Sequence, residues 1–174
     1  MHLHSTVLIA YVLSIALIDM RTHRIPNVIS AAALAAAFTV SLATGGAGAL
    51  ADALVGMLAG LLIFLPFYLV RAFGAGDVKA MAVVGAFLGF ESTLAASATT
   101  LIVGAVIGLG VMLKNAPSAR SVMARILGTA FALTSGQRME VSAGRDIQRF
   151  PYGVAIAIGT LIVVTYTGNL PFNS

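Results

Sequence analysis

The feature that most constrains this chain is a series of apolar runs of near membrane-crossing length, joined by short polar connections. The runs cover approximately residues 3–19, 28–44, 50–70, 79–90, 93–113 and 152–168. A helix rising ~1.5 Å per residue needs about 20 residues to cross ~30 Å of hydrocarbon. Most of the runs approach that length. Composition argues against a water-facing surface: 9% of the 174 residues are charged and 59% are hydrophobic, whereas a soluble domain carries about 25% charged residues. The expected fold is an all-α membrane protein. It forms one domain over residues 1–174, a bundle of about six transmembrane helices. The run at 79–90 is short; it begins below the membrane surface, spans a thinner region, or is re-entrant.

Charge placement sets the expected orientation. Arg21 and Arg24 follow the first run, and Arg71 and Lys79 lie between the third and fourth. Lys114, Arg120, Arg125, Arg138, Arg145 and Arg149 lie between the fifth and sixth, which accounts for all ten Lys and Arg. With six spans these three connections fall on one side of the membrane. The positive-inside rule makes that side cytoplasmic and puts both termini outside. The net charge of +4 therefore reads as orientation and not as nucleic-acid binding. The first run lacks a basic segment before it and an Ala-x-Ala-like site after it, so a retained span is expected in place of a cleaved signal peptide. Gly45–Gly48 and Glu91–Ser92 read as turns. Within the cytoplasmic loop at 114–151, residues 117–134 space Val122, Met123, Ile126, Leu127, Ala130 and Phe131 on one face. That pattern predicts an amphipathic helix lying on the membrane surface. The pairs Gly56/Gly60, Gly85/Gly89 and Gly104/Gly108 read as helix-packing positions.

The candidate chemistry lies in the acids. A carboxylate buried at a membrane boundary is costly, so each is a functional candidate by default. Asp52 and Glu91 fall near span ends on the outer side and read as solvated charges. Asp19 ends the first span, and Asp77 opens the fourth within Gly74-Ala75-Gly76-Asp77-Val78-Lys79. Both fall at the cytoplasmic boundary. If spans one and four are neighbours, the two carboxyls meet at one depth. Two close carboxylates hold one proton between them. The ionised one takes a proton from an attacking water, and the protonated one assists the carbonyl and the leaving amine. That is aspartyl peptidase chemistry, and it requires no metal or cofactor. Asp77 sits at a helix N-terminus and Asp19 at a helix C-terminus, so the macrodipole assigns the shared proton to Asp19.

Neighbouring residues read as support. Gly74 and Gly76 allow a tight turn and leave room for a peptide beside Asp77. Lys79 either holds an acidic group of a substrate, tunes Asp77, or anchors the helix at the interface. Pro26 fixes an extended approach, and Asn27 caps the second span. His2, His4 and His23 read as surface residues. The sequence has no cysteine, which excludes thiolate metal sites and disulfides.

Three segments in order carry a family resemblance: Asp19 with Arg24-Ile25-Pro26-Asn27, then Gly74-Ala75-Gly76-Asp77-Val78-Lys79, then Phe150-Pro151-Tyr152-Gly153. On these the sequence resembles the type IV prepilin peptidases, a group of GxGD aspartyl proteases. It looks closest to the short branch serving Flp (Tad) pilus assembly. The resemblance implies an endopeptidase of the bacterial cytoplasmic membrane that removes a short basic leader from prepilins. Cleavage would fall after a Gly at the cytoplasmic face, with Asp19 and Asp77 as the catalytic pair. The implied substrate is a Flp-type pilin or pseudopilin. Longer relatives also N-methylate the new terminus and carry a tetracysteine zinc domain. This chain has no such cysteines, so zinc binding is not expected and methyltransferase activity is left without support. The alternatives are a small proton- or cation-coupled transporter using Asp19 and Asp77, or a non-catalytic assembly factor. The boundary position of the acids and the lack of a clear inverted repeat weigh against a transporter.

Overall fold

A computed structural model describes residues 2–22, 25–70, 72–114 and 152–167. Among these, the regular structure is entirely helical. Four helices follow in order: α1 (His2–Thr22), α2 (Asn27–Leu69), α3 (Ala75–Lys114) and α4 (Tyr152–Thr167). The predicted surface helix at 117–134 and the rest of the 115–151 loop lie outside the described residues. The chain divides into two compact units, one made of Met1–Gly104 with Pro151–Ser174 and the other of Ala105–Phe150. Everything described below concerns the first unit.

Helices α2 and α3 are each interrupted by one glycine with positive φ, Gly46 at φ 64° and Gly89 at φ 71°. A side chain would strain either position, and glycine tolerates both. Gly46 lies within the predicted turn. The second break comes slightly earlier than the predicted Glu91–Ser92 turn. The reason is local: Gly89 accepts the left-handed conformation, and Asp52 Oδ1 receives the Phe90 N–H at 3.2 Å. Asp52, partly exposed, thus also hydrogen-bonds across helices. Glu91 is exposed.

Three of the helices are long and apolar enough to cross a membrane, and α4 is a shorter apolar helix. They are hydrophobic all round, as membrane helices are. Large side chains such as Leu17, Leu58, Leu62 and Ile102 remain half or more exposed. A continuous surface of this kind suits lipid and not water. These are the helices of a multi-pass membrane protein.

The core is organised around the first half of α3, where every residue from Ala80 to Gly89 is buried. The short fourth run is therefore covered by protein on its sides. Glycines permit the close approach. A Cβ at Gly56 would collide with the backbone of Gly85 and Gly89, and one at Gly85 would collide with the carbonyl of Gly56. Gly60 meets Met81 in the same way. The second half of α2 and the first half of α3 therefore run antiparallel in backbone contact. Van der Waals packing supplies the association where lipid offers no hydrophobic drive. Gly104 lies against the Tyr152 ring. Helix α1 packs on both α2 and α4. His4 is buried with its ring edge-on to Phe87, 5.1 Å between centroids, which corrects its reading as a surface residue.

Candidate active site

Asp77 is positioned by the start of its own helix. Gly74 precedes α3 as its cap, and Asp77 is the third helical residue. From there its Oδ2 accepts the Gly74 N–H at 2.9 Å, while its own N–H donates to the Gly74 carbonyl at 3.1 Å. This is the reciprocal arrangement by which a third-position acid satisfies an orphan donor at a helix start. The site also places the carboxylate on the positive end of the helix. A Cβ at Gly74 would lie 3.3 Å from Asp77 Oδ2. Glycine there keeps the exposed side of the carboxyl uncrowded.

Asp19 is positioned from a distance. It sits in the last turns of α1, 5% exposed, and its Oδ2 accepts the Gly153 N–H at 2.7 Å, 134 positions away. Gly153 is the second residue of α4, so the donor is one of the unpaired N–H groups of a helix N-terminus. Asp77 is likewise buried, at 9% exposure, and the two carboxyls lie within electrostatic reach of each other.

This geometry changes the proton assignment drawn from sequence. Asp19 does end α1, where the macrodipole disfavours a carboxylate. Yet the start of α4 meets the same carboxyl with an N–H donor and the opposite dipole end. Both aspartates rest on helix N-termini, and the dipole argument for a proton on Asp19 no longer holds.

The other predicted residues gather at the same end of the bundle. Pro26 adopts φ −64° and ψ 129° and is the residue before α2, as its extended approach requires. No side chain caps α2. Asn27 is instead its first helical residue, and its Oδ1 accepts from Lys79 Nζ at 3.0 Å. The reading of Asn27 as a cap is therefore corrected, and Lys79 ties the start of α2 to the start of α3. Gly76 does not leave room for a peptide: a Cβ there would lie 3.3 Å from Ile25 Cβ. The glycine admits Ile25, which seats the segment before α2 against the start of α3. Arg21 is exposed, and Arg24 and His23 lie outside the described residues.

Two contributors were not singled out from sequence. The Gly153 amide is one. The other is Tyr152, whose ring lies 4.1 Å from that of Phe73 and within electrostatic reach of Asp77. Phe73 in turn stacks on Phe67 at 5.0 Å and meets Phe64 at 5.4 Å. The Pro-Tyr-Gly segment was the available signal, but sequence placed it only as the opening of the last span.

Asp19 and Asp77 are thus both buried, and each accepts one backbone N–H at a helix start. The family model for the type IV leader peptidase family matches residues 6–109. That stretch includes both aspartates and the Gly-x-Gly-Asp segment. No curated protein and no solved structure matches the chain. With more than half of its length matched, this chain belongs to the type IV leader peptidase family.

Proposed function

We propose that this chain is an intramembrane aspartyl endopeptidase in which Asp19 and Asp77 form the catalytic pair. The observation that carries the reading is their convergence. Two acids from distant parts of a chain with only six Asp and Glu are both buried, and the residues that hold them meet through the adjacent Tyr152 and Gly153. One carboxylate takes a proton from water as the oxygen attacks the scissile carbonyl. The protonated partner hydrogen-bonds that carbonyl and then protonates the leaving amine. Backbone N–H donors hold one oxygen of each acid in place, so the pair is pre-organised before a peptide arrives.

The substrate reading is a prepilin of the Flp (Tad) type, cleaved after a Gly at the cytoplasmic face to release a basic leader. It rests on the three motif segments and on the distribution of Lys and Arg. The six-span topology is part of the same proposal. Helix α2 has 43 residues and α3 has 40, so each would extend about 60 Å or more if straight, roughly twice the hydrocarbon thickness. Their glycine interruptions supply a place for each to turn back. Both termini then lie outside a bacterial inner membrane, and the aspartates face the cytoplasm.

The test is cleavage of a Flp-type prepilin in liposomes by the wild-type chain and by Asp19→Ala and Asp77→Ala. Both variants are expected to lose cleavage while remaining folded. Wild-type cleavage by either would end the dyad reading. Proton or cation flux through the wild-type chain without cleavage would favour a transporter.

A further inference from the structure

Adjacent residues at the start of α4 touch both segments that carry the aspartates. Gly153 donates its N–H to Asp19 Oδ2 at 2.7 Å. Tyr152 lays its ring 4.1 Å from Phe73, and Phe73 directly precedes Gly74, the residue whose N–H holds Asp77 Oδ2. Both contacts tolerate little change. A Cβ at Gly153 would fall 2.9 Å from Asp19 Cβ and 3.0 Å from its Oδ2. The Tyr152 ring is held on its other side by Gly104, where a Cβ would overlap it. Its hydroxyl points to the Thr100 carbonyl at 3.5 Å, a long contact and a weak bond. Tyr152 and Gly153 themselves lie outside residues 6–109, which the family model matches.

We propose that Tyr152 and Gly153 are positioning residues of the peptidase: together they clamp Asp19 and the Gly74–Asp77 turn at the separation that proton sharing needs. The inference rests on the dyad reading above. Asp77 is held by its own helix start, so its local geometry survives without α4. Asp19 has no such local support, because a residue at the end of α1 meets carbonyls and not N–H groups. The start of α4 provides the missing donor, and glycine is the residue that lets the amide come this close. The aromatic contact then sets where that amide stands relative to the second aspartate. Misplacing a reacting group by about 1 Å can cost on the order of a hundredfold in rate.

The experiment measures kcat and KM for prepilin cleavage in liposomes, with thermal stability recorded in parallel. The variants are Gly153→Ala, Tyr152→Ala and Tyr152→Phe. Gly159→Ala, also in α4, is the packing control: its methyl collides with Thr100 of α3 but meets neither aspartate. Gly153→Ala and Tyr152→Ala are expected to lower kcat about a hundredfold with KM little changed. Tyr152→Phe, which keeps the ring, is expected to restore most of kcat. Gly159→Ala is expected to lower stability without a comparable loss in kcat per folded enzyme. Wild-type kcat in Tyr152→Ala or Gly153→Ala overturns the proposal, as does an equal kcat loss in Gly159→Ala. If Gly153→Ala does not accumulate, the Tyr152 pair decides alone: no loss in Tyr152→Ala, or no rescue in Tyr152→Phe, overturns it. Failure of the clamp leaves the dyad standing when Asp19→Ala and Asp77→Ala are inactive. Activity in those two removes the dyad itself.

Discussion

Replacing Asp77 by asparagine separates what this residue does for the fold from what it does for the reaction. The side chain keeps its shape, and its amide oxygen can still accept the Gly74 N–H now received at 2.9 Å. What disappears is the negative charge at a helix N-terminus, worth about 0.3–1 kcal/mol, together with the extra strength of a charged acceptor, about 1 kcal/mol. Removing the charge also spares the cost of holding a carboxylate at 9% exposure, which acts in the opposite direction. The net change in stability is therefore at most about 1–2 kcal/mol. The reaction loses far more. A positioned acid or base contributes about 10²–10⁴ in rate, or roughly 3–5 kcal/mol of barrier at ~1.36 kcal/mol per decade. The assay is the initial rate of prepilin cleavage in liposomes, normalised to folded enzyme from a thermal melt in the same detergent or lipid. Asp77→Asn is expected to melt within a few degrees of wild type and to cleave at least about a hundredfold more slowly. A variant that melts like wild type and cleaves within about threefold of it would refute the reasoning, because the charge at position 77 would then have no part in the chemistry.

Three further outcomes follow from the packing. Gly85→Ala drives a methyl into the Gly56 carbonyl, and backbone cannot yield as a flexible side chain would, so α2 and α3 must part. The expected loss is about 1–3 kcal/mol, read by thermal unfolding, and an unchanged melting temperature would refute the close approach. Asp52→Ala frees the Phe90 N–H beside the Gly89 break; it is expected to cost about 1 kcal/mol or less and to leave cleavage per folded enzyme unchanged. The sequence has no cysteine, so single cysteines at the exposed positions Ala47 and Ala72 can be labelled without background. The six-span topology expects membrane-impermeant reagent to reach the first from outside and the second from the cytoplasmic side, and labelling of both from one side would end it.

The sequence by itself determined the features that depend on local composition and spacing. Apolar runs named the helices because burial in lipid acts residue by residue. Gly46 marked a break because only glycine is at ease with its backbone angles. Asp77 and Gly74 were legible as a unit, being three positions apart at a helix start. Asp19 was legible as an acid where one is expensive. The tertiary structure decided what depends on distant neighbours. A helix dipole can be read from its own helix, and on that basis alone Asp19 stands at an unfavourable end. The N-terminus of α4 reverses that setting, and no spacing in the sequence brings Gly153 to Asp19. The same holds for Gly76, whose space is taken by Ile25, and for Asn27, which receives Lys79 and does not cap its helix. It holds also for the short fourth run, whose sides are buried by neighbouring helices. Sequence named the residues with the means to do the chemistry; packing between remote segments decided which atoms hold them in place.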